Sequence, residues 1–108
     1  LPTAPADVLI LPMTEDLSPA ISLATALRDA GIRAQLHCED KKFKQKISYA
    51  DKLGIPYVIF LGEDELRAGV VACKDMHTGE QTKLEPAATI YRIKAGLAER
   101  EQGRVILG

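Results

Sequence analysis

Along this chain, unbroken apolar runs alternate with stretches in which apolar residues recur every three or four positions. Asp7–Met13 (DVLILPM) is apolar almost throughout, which predicts a strand covered on both faces. Ser18-Pro19 then reads as a helix N-cap followed by proline at the first helical position. Leu17, Ile21, Ala24, Leu27 and Ala30 fall at helical spacing, and Gly31 closes that helix. Ile32–Cys38 is a second strand. Lys41–Leu53 is a helix with Phe43, Ile47, Ala50 and Leu53 on one face and Gly54 at its end. Pro56–Leu61 (PYVIFL) is a third buried strand. This β-α-β-α-β run predicts right-handed crossovers and a parallel sheet.

After Leu61 the period changes. Gly62–Leu66 (GEDEL) is too short and too acidic for a crossover helix. Gly69–Lys74 and Glu80–Leu84 read as strands joined by the turn Asp75–Gly79, so they should pair antiparallel. Pro86–Arg100 is a last helix with Ile90, Ile93 and Leu97 inward, and Gly103 is its expected stop. Val105–Leu107 is an apolar tail. The sum is an α/β domain of three layers, α/β/α, with a mixed five-stranded sheet and three helices. Ligands of such sheets bind outside the carboxyl ends of the strands. Here those ends are Pro12–Asp16, Cys38–Lys42 and Gly62–Arg67.

Composition narrows the function classes. The chain has 108 residues, 46% apolar and 27% charged, which suits one globular domain. A chain of this size buries about two-thirds of its unfolded surface, so it needs no metal or disulfide to fold. It is small for both a catalytic cleft and a specificity module, which favours a binding unit. Residues 1–6 read as a linker, residues 7–103 as the domain and residues 104–108 as a tail, the whole being a piece of a longer protein. No apolar run approaches the roughly 18–20 residues of a membrane span, and no signal peptide opens the chain. The net charge of −1 points to neither DNA nor a membrane surface, so any polyanion must be met by a local patch. Cys38 and Cys73 sit in apolar runs and read as buried thiols in a reducing compartment.

Several chemistries are missing. There is no GxGxxG after the first strand, no GxxxxGK[ST] and no CxxC. No nucleophile elbow occurs, and His37 and His77 have no neighbours at metal-ligand spacing. No catalytic residue and no metal ligand is assigned.

Two segments carry potential chemistry. Lys41, Lys42, Lys44 and Lys46 crowd the start of the second helix. Such a cluster is ordinarily a solvated face, yet lysines there oppose the helix dipole and sit at the ligand-binding edge. A phosphate backbone would offset both. Glu63, Asp64 and Glu65 close the third strand. They suit a hard cation, a polar turn, or acceptance from the N–H groups of unstacked bases. Lys74 on the next strand can donate to a base or a phosphate.

The series ADKLGIPYVIFLGEDEL (50–66), Gly69-Val70-Val71 and KDMHTGEQ (74–81) resembles the C-terminal anticodon-binding domain of the histidyl-tRNA synthetases. Leu27–Ile32 and Lys42–Gln45 fit the same family, so the resemblance spans residues 7–100. It implies strand order 2-1-3-4-5 with the fourth strand antiparallel. It also implies contact with the anticodon loop of histidine tRNA, as part of a class II ligase that is a cytoplasmic homodimer. By motif position, Glu65, Lys74 and the segment Asp40, Lys41, Lys42 match anticodon-contacting positions, and the loop Met13, Thr14, Glu15, Asp16 lines the same edge. The ligase's catalytic motifs, with their ATP and magnesium sites, are missing from this chain, so the implied role is positional. The same fold in the threonyl, prolyl or glycyl enzymes, or in a regulatory paralogue that binds protein, is the alternative.

Overall fold

The computed structural model describes residues 4–37 and 43–107. Its central sheet contains β1 (Val8–Pro12), β2 (Ala34–Leu36), β3 (Tyr57–Leu61), β4 (Val71–Asp75) and β5 (Gln81–Leu84). Their order is β2-β1-β3-β4-β5. β1 pairs parallel with both β2 and β3, whereas β3–β4 and β4–β5 are antiparallel. The mixed sheet expected from the sequence is therefore present in the expected order.

β1 and β3 are apolar without alternation because every residue of both is buried. Helices cover them from two sides. Val8, Ile10, Ile59 and Leu61 pack beneath α1 (Ser18–Asp29) and α4 (Pro86–Leu107), against Leu23, Leu27 and Ile93. Leu9, Leu11, Val58 and Phe60 form the opposite face with Ala50 and, partly buried, Ile47 and Leu53 of α2 (Phe43–Leu53). Burying one Leu or Ile side chain contributes about 1.5–3 kcal/mol, so these two strands dominate the stability of the domain.

Four details differ from the sequence reading. Glu63–Ala68 is a short helix, α3, so the described residues hold four helices and not three. Its acids fill the first turn, where the helix dipole favours them, and the Glu65 carboxylate caps it. Gly69, at φ +71°, then ends α3 in the left-handed conformation. Ser18 is the first residue of α1 and not its cap. The cap position is Leu17, and Asp16 Oδ1 accepts from the Ser18 N–H at 3.0 Å. β2 is only three residues long. α4 runs through Gly103 to Leu107, because an interior glycine costs a helix only about 1 kcal/mol. The predicted apolar tail thus continues a helix. Ile93 is buried, with Ile90 and Leu97 packed beside it, as the spacing requires.

Cys73 on β4 is a buried free thiol, and burial, aided by the nearby Asp75 carboxylate, pushes it up to about 12. Cys38 lies outside the described residues.

Gly96 on α4 meets the hydroxyl end of Tyr57, and a methyl group at this position would overlap Tyr57 Oη. Tyr57 is itself pushed above the ordinary tyrosine range by burial and by Asp75. Gly→Ala in a helix usually gains up to about 1 kcal/mol. Gly96→Ala should instead lose about 1–3 kcal/mol through overpacking, and Tyr57→Phe in the same chain should recover most of that loss, as read by urea unfolding.

The Cys73 thiol gives a second expectation. Below pH about 9 both folded and unfolded chains hold its proton. Between about 9 and 12 only the unfolded chain releases it, so stability falls as pH rises through that window. In a Cys38→Ser background, Cys73 should resist thiol reagents at pH 8 until denaturant is added.

Candidate functional site

The parallel register brings the carboxyl ends of β1 and β3 side by side. Pro12 pairs with Leu61, and the Met13 N–H donates to the Leu61 carbonyl at 2.8 Å. The segments that follow these strands therefore leave the sheet together and form one rim. From β1 come Met13, half exposed at 51%, then Thr14 and the exposed Glu15. From β3 come Gly62 and α3 with Glu65.

The β1 loop is held by its own polar side chains. Thr14 Oγ1 donates to the Asp16 carbonyl at 2.8 Å, and the hydrogen bond from Ser18 to Asp16 starts α1. The Ser18 backbone N–H, then its side chain, holds the Asp16 carboxyl below the usual carboxylate range. These bonds fix the loop backbone while leaving Met13 and Glu15 facing solvent.

Glu65 is half-buried, and its Oε1 accepts from the Gly62 N–H at 3.2 Å. One carboxylate oxygen thus closes the first turn of α3. A carboxylate has about four lone-pair sites, so acceptor capacity remains on the second oxygen. The helix that orients this carboxylate is the segment whose sequence is too short and too acidic for a crossover helix. Its signal was present as Gly62-x-x-Glu65 followed by Gly69.

Lys74 stands elsewhere. It pairs with Val58, three residues back from the carboxyl end of β3, which is about 10 Å down the strand. The antiparallel direction of β4 takes it there: its first residue, Val71, is near the rim and its last, Asp75, pairs with Tyr57 at the far end. The structure thus brings Met13, Thr14, Glu15 and Glu65 together and sets Lys74 apart from them. Asp40, Lys41 and Lys42 lie outside the described residues, after the carboxyl end of β2. Of the other two lysines in that cluster, Lys44 is exposed, whereas Lys46 is 9% exposed and turned inward. The cluster is not one uniform solvated face.

His37 also turns inward at this end of the sheet. It is buried, and its ring packs on Tyr49 of α2 with centroids 5.1 Å apart. His77 is exposed in the β4–β5 turn, where its N–H donates to Asp75 Oδ1 at 2.8 Å. Among the described residues no group of three or more His, Cys, Asp or Glu is placed to hold a metal ion. Among them, too, no helix is long and apolar enough to cross a membrane.

The opposite edge of the sheet is occupied by structural bonds. Asp7 grips Arg33 through Oδ1 to Nη2 at 3.0 Å and Oδ2 to the Arg33 N–H at 2.9 Å. The Arg33 guanidinium also donates to the Ala4 carbonyl at 3.1 Å. At the rim, by contrast, acceptors and an exposed thioether are left facing outward.

Comparison with known proteins adds to this geometry. A family model described as an anticodon binding domain matches residues 7–96. A histidine–tRNA ligase of Clostridium tetani is 42% identical over 86 residues, which cover 80% of this chain and 20% of that protein. One from Thermococcus kodakarensis is 36% identical over 90 residues, covering 81% and 21%. A crystal structure of histidyl-tRNA synthetase from Nostoc sp. PCC 7120 superposes with a TM-score of 0.80 at 31% identity, over 86% of this chain and 23% of that one. The chain spans about a fifth of the length of these relatives.

The double position of Glu65, between a helix cap and the rim, is testable. Glu65→Gln keeps a capping oxygen, and Glu65→Ala removes it. The alanine variant should speed hydrogen exchange at the Gly62 amide, with about 0.5–2 kcal/mol of local protection lost, while the glutamine variant should leave it near wild type.

Proposed function

The chain belongs to the anticodon-binding-domain family, and from that premise we propose that it holds the anticodon stem-loop of histidine tRNA on the carboxyl rim. In this reading it is the noncatalytic, tRNA-positioning part of a histidine–tRNA ligase. ATP-dependent histidylation, with its magnesium, belongs to a catalytic core outside this chain. The parent is a cytoplasmic homodimer, and residues 1–6 are the linker from the core.

The observation that carries this reading is the rim itself. Unstacked bases are recognised by hydrogen bonds to their edges and by contact with their faces. The free oxygen of Glu65 accepts from a guanine N–H or an exocyclic amine. Met13 offers a polarizable apolar surface to a base. Thr14 and Glu15 complete the wall on the β1 side. Lys41 and Lys42, which follow β2 in the sequence, supply cationic contacts to phosphate, and the Asp40 carboxylate accepts from a base. Lys74 serves from the sheet face and not from the rim. Each base-edge contact contributes roughly 1–3 kcal/mol of discrimination, by analogy with bidentate readout in DNA. A lysine at position 74 cannot form the planar fork of an arginine, so its contribution is charge more than base identity.

Titration of the chain with a histidine anticodon stem-loop, at two salt concentrations, tests this. Binding should weaken with salt at a logarithmic slope of about −0.7 per phosphate contact and should favour the histidine anticodon over those of threonine, proline and glycine. Glu65→Gln should erase that preference while leaving the salt slope unchanged. Failure to bind at low salt rejects RNA contact, and indifference to the anticodon rejects base reading.

A further inference from the structure

The open face of β4 and β5 carries a pair of cations that the rim does not explain. Side chains alternate between faces along a strand, and residues directly paired across a ladder share a face. Val58 and Phe60 of β3 belong to the core beneath α2. Lys74 and Ala72 are paired with them on β4, and Gln81 and Lys83 are paired with those on β5. All four therefore lie on the α2 side of the sheet. α2 packs on β1 and β3, and Ala72 is only partly buried at the margin of that core. Gln81 and Lys83 are exposed. Among the described residues no element roofs β4 and β5 on this side, whereas α4 covers the other face through Ile93.

Lys83 is the nearer of the two lysines to the rim. It shares a ladder row with Ala72 and Phe60, the penultimate residue of β3. That places its Cα about 10 Å from β3, two strand spacings sideways. Lys74 sits two rows further from the rim, diagonal to Lys83 across the β4–β5 ladder. Diagonal neighbours are about 7–8 Å apart, within reach of long side chains, and like charges so placed repel. Neither ammonium has an ion pair or hydrogen bond among the described residues. A lysine on an edge strand discourages strand-to-strand aggregation, and this covers Lys83. It does not cover Lys74, which lies on the interior strand β4.

We propose that Lys83 and Lys74 form a cationic ledge that carries the phosphodiester backbone of the RNA away from the rim, across the open β4–β5 face. The proposal rests on the RNA-binding reading above and adds a contact, Lys83, and a direction of travel to it. Adjacent phosphates on a single strand match a pair of ammonium groups at this spacing, and their charge removes the repulsion between the two lysines. A contact of this kind strengthens binding to every anticodon alike, because phosphate carries no sequence.

The test uses the same stem-loops with Lys83→Gln, Lys83→Arg and, as control, Lys94→Gln, which removes an exposed charge from α4 on the other layer. Lys83→Gln should weaken all stem-loops several-fold and equally, and should make the salt slope shallower by about 0.7. Lys83→Arg should restore both, and Lys94→Gln should change neither. If the unaltered chain binds no stem-loop, the RNA reading fails and the ledge with it. If the unaltered chain binds and Lys83→Gln matches it in affinity and slope, the ledge alone is overturned. Equal losses from Lys83→Gln and Lys94→Gln also overturn it, since position would then not matter.

Discussion

The parallel pairing of β1 with β3 is the interaction on which the molecule depends. Five residues of each strand are in register, and all ten are buried. Because side-chain period is two, a slip of one residue would move every apolar group to the wrong layer. The register is thus fixed by the cores on both faces at once. Its last step, Pro12 beside Leu61, decides that the loops after these two strands emerge at a single edge. Had β3 entered antiparallel, the β1 loop and α3 would lie at opposite ends of the sheet.

Polar groups are divided between the two edges in a way that matches this frame. At the amino end, Asp7 and Arg33 satisfy each other and the backbone around them. In the β4–β5 turn, Asp75 Oδ1 takes the N–H groups of His77 and Thr78. These are closed arrangements. At the carboxyl rim the polar side chains are committed only in part: Thr14 and Asp16 to their own loop, and one oxygen of Glu65 to α3. Partial commitment is the chemical condition for meeting a ligand, since a group already oriented by one bond loses less freedom on forming the next.

The buried parallel half of this architecture was legible because strands buried on both faces leave unbroken runs such as VLIL and YVIF. The turn at Asp75–Gly79 was legible from its composition. α3 was not, because six residues cannot show a helical period, although its cap residues were in view. The start of α1 was displaced by one residue because Asp16, and not Ser18, supplies the capping oxygen. Within the site, Met13, Thr14, Glu15 and Glu65 could be grouped from strand ends alone. The remoteness of Lys74 could not, since it depends on which rows of an antiparallel ladder align. Lys83 is silent in the sequence for a related reason: a lone lysine in EQTKL has no local signal, and its meaning comes from Lys74 on the adjacent strand, two residues along the ladder.

The length of α4 has a consequence for how the domain can be mounted. β5 ends at the rim, so α4 starts there and runs back toward the other edge. Its 22 residues are about 33 Å long, against roughly 17 Å for a strand of five. The helix therefore reaches past the sheet by several turns on the side of the Asp7–Arg33 clamp, and the chain elongates to 43 Å against 27 and 23 Å. The sheet acts as a spacer of fixed thickness, with a protruding strut on one side and an unobstructed landing on the other. An insertion in β1 would have to be matched in β3 to keep the ladder, so the ladder itself guards the thickness of that spacer.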